Sequence, residues 1–158
     1  MEEGAGRRDR YLADLRVGEV WEGAPFTISE AEVLAFAREF DPQPMHTDPP
    51  AAAAGRFGGL IASGWHVASR VMREFVDSAP FGNTEMLGIK VDDLIWARPV
   101  RPGDTLRVRR EVLAVTPSRS RPDRGTVEVA IAAFNQHGEE VFRFRNLIQM
   151  PMHAGVRL

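Results

Sequence analysis

The sequence predicts an α+β domain in which a curved antiparallel sheet wraps one long central helix. Three observations carry that reading. Apolar residues recur at helical spacing twice before residue 80, the period switches to alternation after it, and the second helical stripe is wide enough to line a core. At 158 residues with 44% hydrophobic content, the chain is expected to form one domain with a sizeable core.

Residues 1–12 read as a flexible tail, 13–152 as the single domain and 153–158 as a C-terminal tail. Val20 to Phe26 is expected to be a short strand carrying Trp21. Ser29 can cap a helix from Glu30 to Glu39, with Glu32 in its first turn and Val33, Leu34, Phe36, Ala37 and Phe40 at helical spacing. Pro42 and Pro44 hold the following Asp41–His46 stretch out of helix, as a stiff loop. Pro49 to Ala54 is a short helix opened by proline and closed by Gly55. A second long helix starts at Ser63-Gly64 and runs to about Val76. Val67, Ala68, Val71, Met72 and Phe75 share one face, which Ala62, Trp65 and Val76 widen, so this helix is expected to be deeply buried.

Past Pro80-Phe81-Gly82-Asn83 the chain becomes strand-like. Met86 to Trp96 is one strand, and Arg98 to Asp104 a turn built on prolines and glycine. Leu106, Val108 and Val112 then alternate with Thr105, Arg107, Arg109 and Glu111. After a basic loop from Ser118 to Arg124, Val127, Val129, Ile131 and Ala133 alternate again. Asn135 to Gly138 turns the chain into a last strand, Glu140 to Met150. Four strands in sequence suggest a meander. Its edges favour pairing between two copies, so a homodimer is expected.

Composition removes several classes. A net charge of −2 argues against a nucleic-acid partner. The absence of cysteine excludes disulfides, thiolate metal sites and cysteine nucleophiles. The polar Met1–Arg10 segment has no apolar leader, and no run approaches the ~18 apolar residues of a membrane span. A cytoplasmic protein with no membrane partner is the expectation.

The sharpest chemical signal is Phe40-Asp41-Pro42-Gln43-Pro44-Met45-His46-Thr47-Asp48. A carboxylate and an imidazole five residues apart on a stiff loop can hold a water and move protons near neutral pH. Asp41 alone would read as an Asx-turn residue and His46 alone as a backbone-bonded loop histidine. Together, and with Ser63-Gly64 downstream, they favour a functional pair. Ser63 reads as a helix cap, since no Gly-x-Ser-x-Gly elbow surrounds it. Asp48 is expected to cap the Pro49 helix, His66 to pack within its helix, and His137 to sit exposed in a turn. His153 lies in the tail. The four histidines show no ligand spacing, so no metal is expected. Gly55-Arg56-Phe57-Gly58-Gly59 lacks the lysine and Ser/Thr of a phosphate loop and reads as flexible access to the site. Arginines 98, 101, 107, 109, 119, 121 and 124 are candidates for phosphate contact, most of them expected to be solvated.

The stretch from Asp41 to Asp48, together with Ile61-Ala62-Ser63-Gly64 and Trp96-Ala97-Arg98-Pro99-Val100-Arg101-Pro102-Gly103-Asp104-Thr105-Leu106, resembles a MaoC-type dehydratase. That hot-dog-fold group includes the (R)-specific enoyl-CoA hydratases. The likeness runs from about Phe26 to Met150, and its most specific part is an Asp-x-Asn-Pro-x-His pattern matched at Asp41, Pro44 and His46. Phe40 stands where the family usually has glycine, Gln43 where it has asparagine, and Ser63 where it often has histidine. The resemblance implies a hot-dog fold, a dimer, and reversible hydration of a 2-enoyl thioester with Asp41 and His46 as the catalytic pair. It implies no resident cofactor: coenzyme A enters as part of an acyl-CoA substrate, or an acyl-carrier-protein thioester takes its place.

Such chemistry also needs a donor for the thioester oxygen, and the Gly64 N–H at a helix N-terminus is suited to that. Gln43 and Ser63 are the expected substrate-binding residues. A hot-dog acyl-CoA thioesterase, and a non-catalytic acyl-thioester-binding module, are the alternatives on the same scaffold.

Overall fold

In the computed structural model, residues 8–158 are described. A short 3-10 turn, Leu12–Asp14, comes first. Then follow β1 (Val20–Glu22), β2 (Phe26–Thr27), α1 (Glu30–Phe40), α2 (Pro44–Thr47), α3 (Pro49–Ala54), α4 (Gly64–Ser78), β3 (Leu87–Trp96), β4 (Thr105–Pro117), β5 (Arg124–Phe134) and β6 (Glu140–Pro151). The first strand expected from the sequence is split in two at Gly23–Pro25. Most of the other boundaries differ by a few residues from the sequence expectation.

The local signals act as their chemistry requires. Ser29 Oγ accepts from the Glu32 N–H while the Glu32 carboxylate accepts from the Ser29 N–H, a complete capping box that fixes the start of α1. Asp48 caps α3 by accepting from Ala51 N–H at 3.1 Å. The stretch after Asp41 differs from the expected loop. Pro44 is the first residue of the helical turn α2, a position where its missing N–H costs nothing, and so proline starts this helix instead of preventing one.

The strands form one antiparallel sheet in the order β1-β4-β5-β6-β3, with β2 also on β4. The expected meander holds for β4-β5-β6 only. β3 pairs with β6, so the chain crosses from one edge to the far side of β5 between residues 97 and 104. That connection is held by the segments that lead into α4 and α1: Ala62 N–H donates to Val100 O at 2.8 Å and Gly103 N–H to Ile28 O at 2.7 Å.

Alternation decides the core. Leu106, Val108 and Val112 of β4 and Val127, Val129, Ile131 and Ala133 of β5 face α4 and are buried against Val67 and Val71. Arg110 shares that parity and is only 2% exposed, paired with the buried Glu74 of α4. The rest of α4 is less enclosed than its apolar stripe suggested. Trp65, Met72 and Val76 are 60, 53 and 58% exposed, because one sheet covers only one face of the helix. Alongside, edge strand β3 exposes Leu87, Ile89 and Val91.

The described parts of both expected tails are tethered. Residues 1–7 lie outside the described residues, but Leu12 is fully buried, so the domain begins before residue 13. Near the other end, Arg157 O accepts from the Arg124 guanidinium at 3.0 Å. Among the described residues no helix is long and apolar enough to cross a membrane. The curved antiparallel sheet around α4 is the α+β, hot-dog arrangement that the sequence resemblance implied.

Candidate active site

Asp41 closes α1, its N–H donating to Ala37 O, and His46 lies on the next turn, α2. The short Pro-rich link between them brings Asp41 Oδ2 to 3.4 Å from His46 Nε2. The imidazole is 4% exposed. Its other nitrogen, Nδ1, lies 2.7 Å from Ile61 O. A carbonyl only accepts, so Nδ1 carries the hydrogen, and in the neutral ring Nε2 presents a lone pair toward Asp41. The contact is braced from the backbone, because Ile61 N–H donates to Met45 O at 3.2 Å.

Both oxygens of Asp41 are held. Gln43 Nε2 donates to Oδ1 at 2.7 Å and Ser63 Oγ to Oδ2 at 2.7 Å. The Gln43 bond first, then the Ser63 bond, hold the Asp41 carboxyl below its usual range; partial burial opposes them, and the imidazole adds least. The longer side chain of Gln43 therefore still delivers an amide to the aspartate. Ser63 is fully buried and gives its hydroxyl hydrogen to Asp41, which leaves none for a substrate, and it makes no side-chain cap on α4. The sequence placed Gln43 and Ser63 near the chemistry but not on this carboxylate.

Gly64 is the first residue of α4, where an N–H has no acceptor within the helix. The close approach at this glycine is made by Trp96. A Cβ at residue 64 would lie 2.6 Å from the indole, whose Nε1 donates to Gly64 O at 2.8 Å. Asp41, Gln43, His46 and Gly64 line an open cleft of about 370 Å³ whose apolar walls include Phe57, Ile61, Val67 and Trp96. Of the arginines singled out from sequence, Arg98 lines this cleft. Arg101 donates to Phe57 O and pins the 55–59 segment that sequence reading had left flexible.

The sequence reading missed Trp96 and Phe57 as cleft walls, since nothing in a strand end or a glycine-rich turn announces a helix N-terminus across the fold. His66 lies outside the cleft lining, buried and stacked on Phe36 with ring centroids 4.8 Å apart. Burial pushes its imidazole below the usual histidine range, with Glu32 opposing and Arg70 assisting. His137 is exposed in its turn.

With the imidazole neutral, Nε2 and Oδ2 are two acceptors facing each other at 3.4 Å. A water can satisfy both by donating one hydrogen to each, which turns its lone pairs away from the pair. The arrangement can hold and deprotonate a water beside a helix N-terminus.

Known proteins with this fold carry related names. The chain is 43% identical to a MaoC-like dehydratase from Rhodospirillum rubrum, with a TM-score of 0.83 over 91% of this chain and 98% of that one. It is 29% identical to the R-hydratase PhaJ1 from Pseudomonas aeruginosa, with a TM-score of 0.75 over 90% of this chain and 86% of that one. It is also 31% identical to YdeM, an uncharacterized protein of Bacillus subtilis, over 83% of this chain and 92% of YdeM. The model of the MaoC like domain matches residues 15–133. With that match over most of its length, and a hot-dog sheet around α4, the chain belongs to the MaoC-like dehydratase family.

Proposed function

We propose that the protein is an acyl-CoA hydratase/dehydratase that adds water reversibly to a 2-enoyl thioester of coenzyme A. The observation that carries this is the 3.4 Å approach of Asp41 Oδ2 to His46 Nε2, with Nδ1 already committed to Ile61 O. The names of the R. rubrum dehydratase and the P. aeruginosa R-hydratase support the reaction class.

In the forward direction the water held by the pair attacks C3. A C3–O bond forms as one water proton passes to the Asp41/His46 pair, and the C2=C3 electrons move toward the thioester oxygen. The Gly64 N–H and the positive end of α4 stabilise that oxygen. The carbonyl re-forms as C2 takes a proton from the pair, so one water is consumed and the thioester stays intact. Gln43 and Ser63 orient the carboxylate, and their donors keep it ionised.

The acting unit is a homodimer located in the cytoplasm. The apolar Leu87, Ile89 and Val91 on the free edge of β3 support the pairing of two copies.

Loss of enoyl-thioester absorbance from crotonyl-CoA and from longer, branched and dicarboxylic enoyl-CoAs, with thiol followed in the same cuvette, tests the reading. Absorbance loss without thiol is the expected result. Thiol release from a saturated acyl-CoA would replace it with a thioesterase, and tight binding without turnover with a binding module.

A further inference from the structure

The residues lining the catalytic cleft fall into two stretches of chain, 41–67 and 96–100, and three hydrogen bonds join them. Trp96 Nε1 donates to Gly64 O at 2.8 Å, and Ala62 N–H to Val100 O at 2.8 Å. The third bond starts outside the lining. Arg101 Nη2 donates to Phe57 O, joining the β3–β4 connection to the segment between α3 and α4. Ala62 and Val100 are buried, whereas Arg101 is exposed. Among the described residues, the Arg101 bond is the only hydrogen bond that ties residues 56–60 to a distant part of the chain. Phe57 in that segment is followed by Gly58 at φ +66, a left-handed turn that the chain must hold beside the cleft.

Resting on the acyl-thioester reading above, we infer that Arg101 is a positioning residue that fixes the width of the substrate cleft through Phe57. A thioester held at the Gly64 N–H occupies the cleft that Phe57 and Trp96 both line, so the place of Phe57 decides how closely substrate is gripped. The other two joining bonds leave Phe57 free to shift, because they act at Gly64 and Ala62. Losing the guanidinium would release that wall without touching the contacts of Asp41 and His46. The turn at residue 101 survives such a loss, since it is the Arg101 main-chain N–H that donates to Asp104 Oδ2 at 2.8 Å. Arg101 acts on affinity and takes no part in proton transfer.

The test compares the wild type with Arg101→Met, Arg101→Lys, Phe57→Ala and the Arg101→Met/Phe57→Ala double variant. Crotonyl-CoA and crotonyl-N-acetylcysteamine, a thioester without phosphates, are the substrates, and butyryl-CoA is the ligand for calorimetry. Arg101→Met should raise KM for both substrates about two- to tenfold, the scale of one hydrogen bond, with kcat and its pH profile changed much less. Arg101→Lys, which keeps a donor for Phe57 O, should restore most of the loss. In the Phe57→Ala background, Arg101→Met should add little, because the two changes act through one wall. An unchanged KM in folded Arg101→Met would overturn the inference, and so would full additivity with Phe57→Ala. A rise confined to the CoA thioester would also overturn it, making Arg101 a phosphate contact instead. Should no protein hydrate either substrate while Arg101→Met still binds butyryl-CoA more weakly than Arg101→Lys does, the clamp stands and the hydratase reading falls.

Discussion

Ser63 Oγ donates to Asp41 Oδ2 across 22 residues of sequence, tying the N-terminus of α4 to the C-terminus of α1 at the point where the carboxylate meets His46. Gly64, the proposed donor for the thioester oxygen, is thereby tied to Asp41 and His46, the proposed acid/base pair. Removing either member of the pair removes the water site, so Asp41→Ala and His46→Ala should each lower turnover by ~10²–10⁴-fold. Near-normal enoyl-CoA hydration by either purified, folded variant would sink the assignment.

The hydrogen bonds on Asp41 make a prediction with a definite sign. Its native pKa is depressed, so the stability it contributes is present above the ordinary carboxylate range and fades as pH falls through the native value. Gln43→Leu and Ser63→Ala each delete a donor to the ionised form and should raise that pKa. A carbonyl-carbon NMR titration of Asp41 reads the shift directly, and an unmoved titration would mean the donors do not act on the charge.

His66 titrates with the opposite consequence from the usual histidine partner. Its native pKa is lowered by burial, so the unfolded chain binds its proton first. Stability should therefore decline as pH falls below about 6.5, the unperturbed histidine value, until the native pKa is reached. Urea denaturation across this range should show a shallower decline in His66→Leu. Parallel curves for the two proteins would remove His66 as the cause.

Glu74 and Arg110 form an ion pair 5% and 2% exposed by side chain, with Arg110 also donating to Val71 O. Glu74→Ala would leave a buried guanidinium without its counter-charge and should cost about 3–5 kcal/mol. Denaturant melts of the folded protein provide the measurement. A loss below ~1 kcal/mol, the scale of an exposed pair, would mean water reaches the arginine.

Placing a charge on the β3 edge tests the proposed assembly. Val91→Asp should shift the protein toward monomers in light scattering, since a carboxylate would then be carried into the apolar contact. An unchanged mass would put the contact elsewhere.

Much of this was legible locally. The Ser29/Glu32 capping box, the alternation of Val127 to Ala133, and the Asp41–His46 pair are all short-range patterns whose physics is contained within a few residues. What escaped reading depended on contacts between distant segments. Ser63 looked like a cap because its acceptor lies 22 residues away on another helix. The place of β3 beside β6 goes with Val100 and Gly103 bonding the distant segments at Ala62 and Ile28, and strand order leaves no trace in periodicity. Arg110 was a readable case passed over: it falls on the same parity as Leu106, Val108 and Val112, and that alone put a charge in the core.

The link from His46 Nδ1 to Ile61 O has a consequence for how this cleft can be altered. The acceptor is a main-chain atom, so no substitution at residue 61 deletes it. The identity of that side chain is uncoupled from the tautomer of the histidine. Ile61 also walls the cleft, which makes it a position where shape can drift, or be engineered, while the proton inventory next to it stays fixed. Ser63, two residues on, offers no such latitude, because there the side chain itself carries the hydrogen bond.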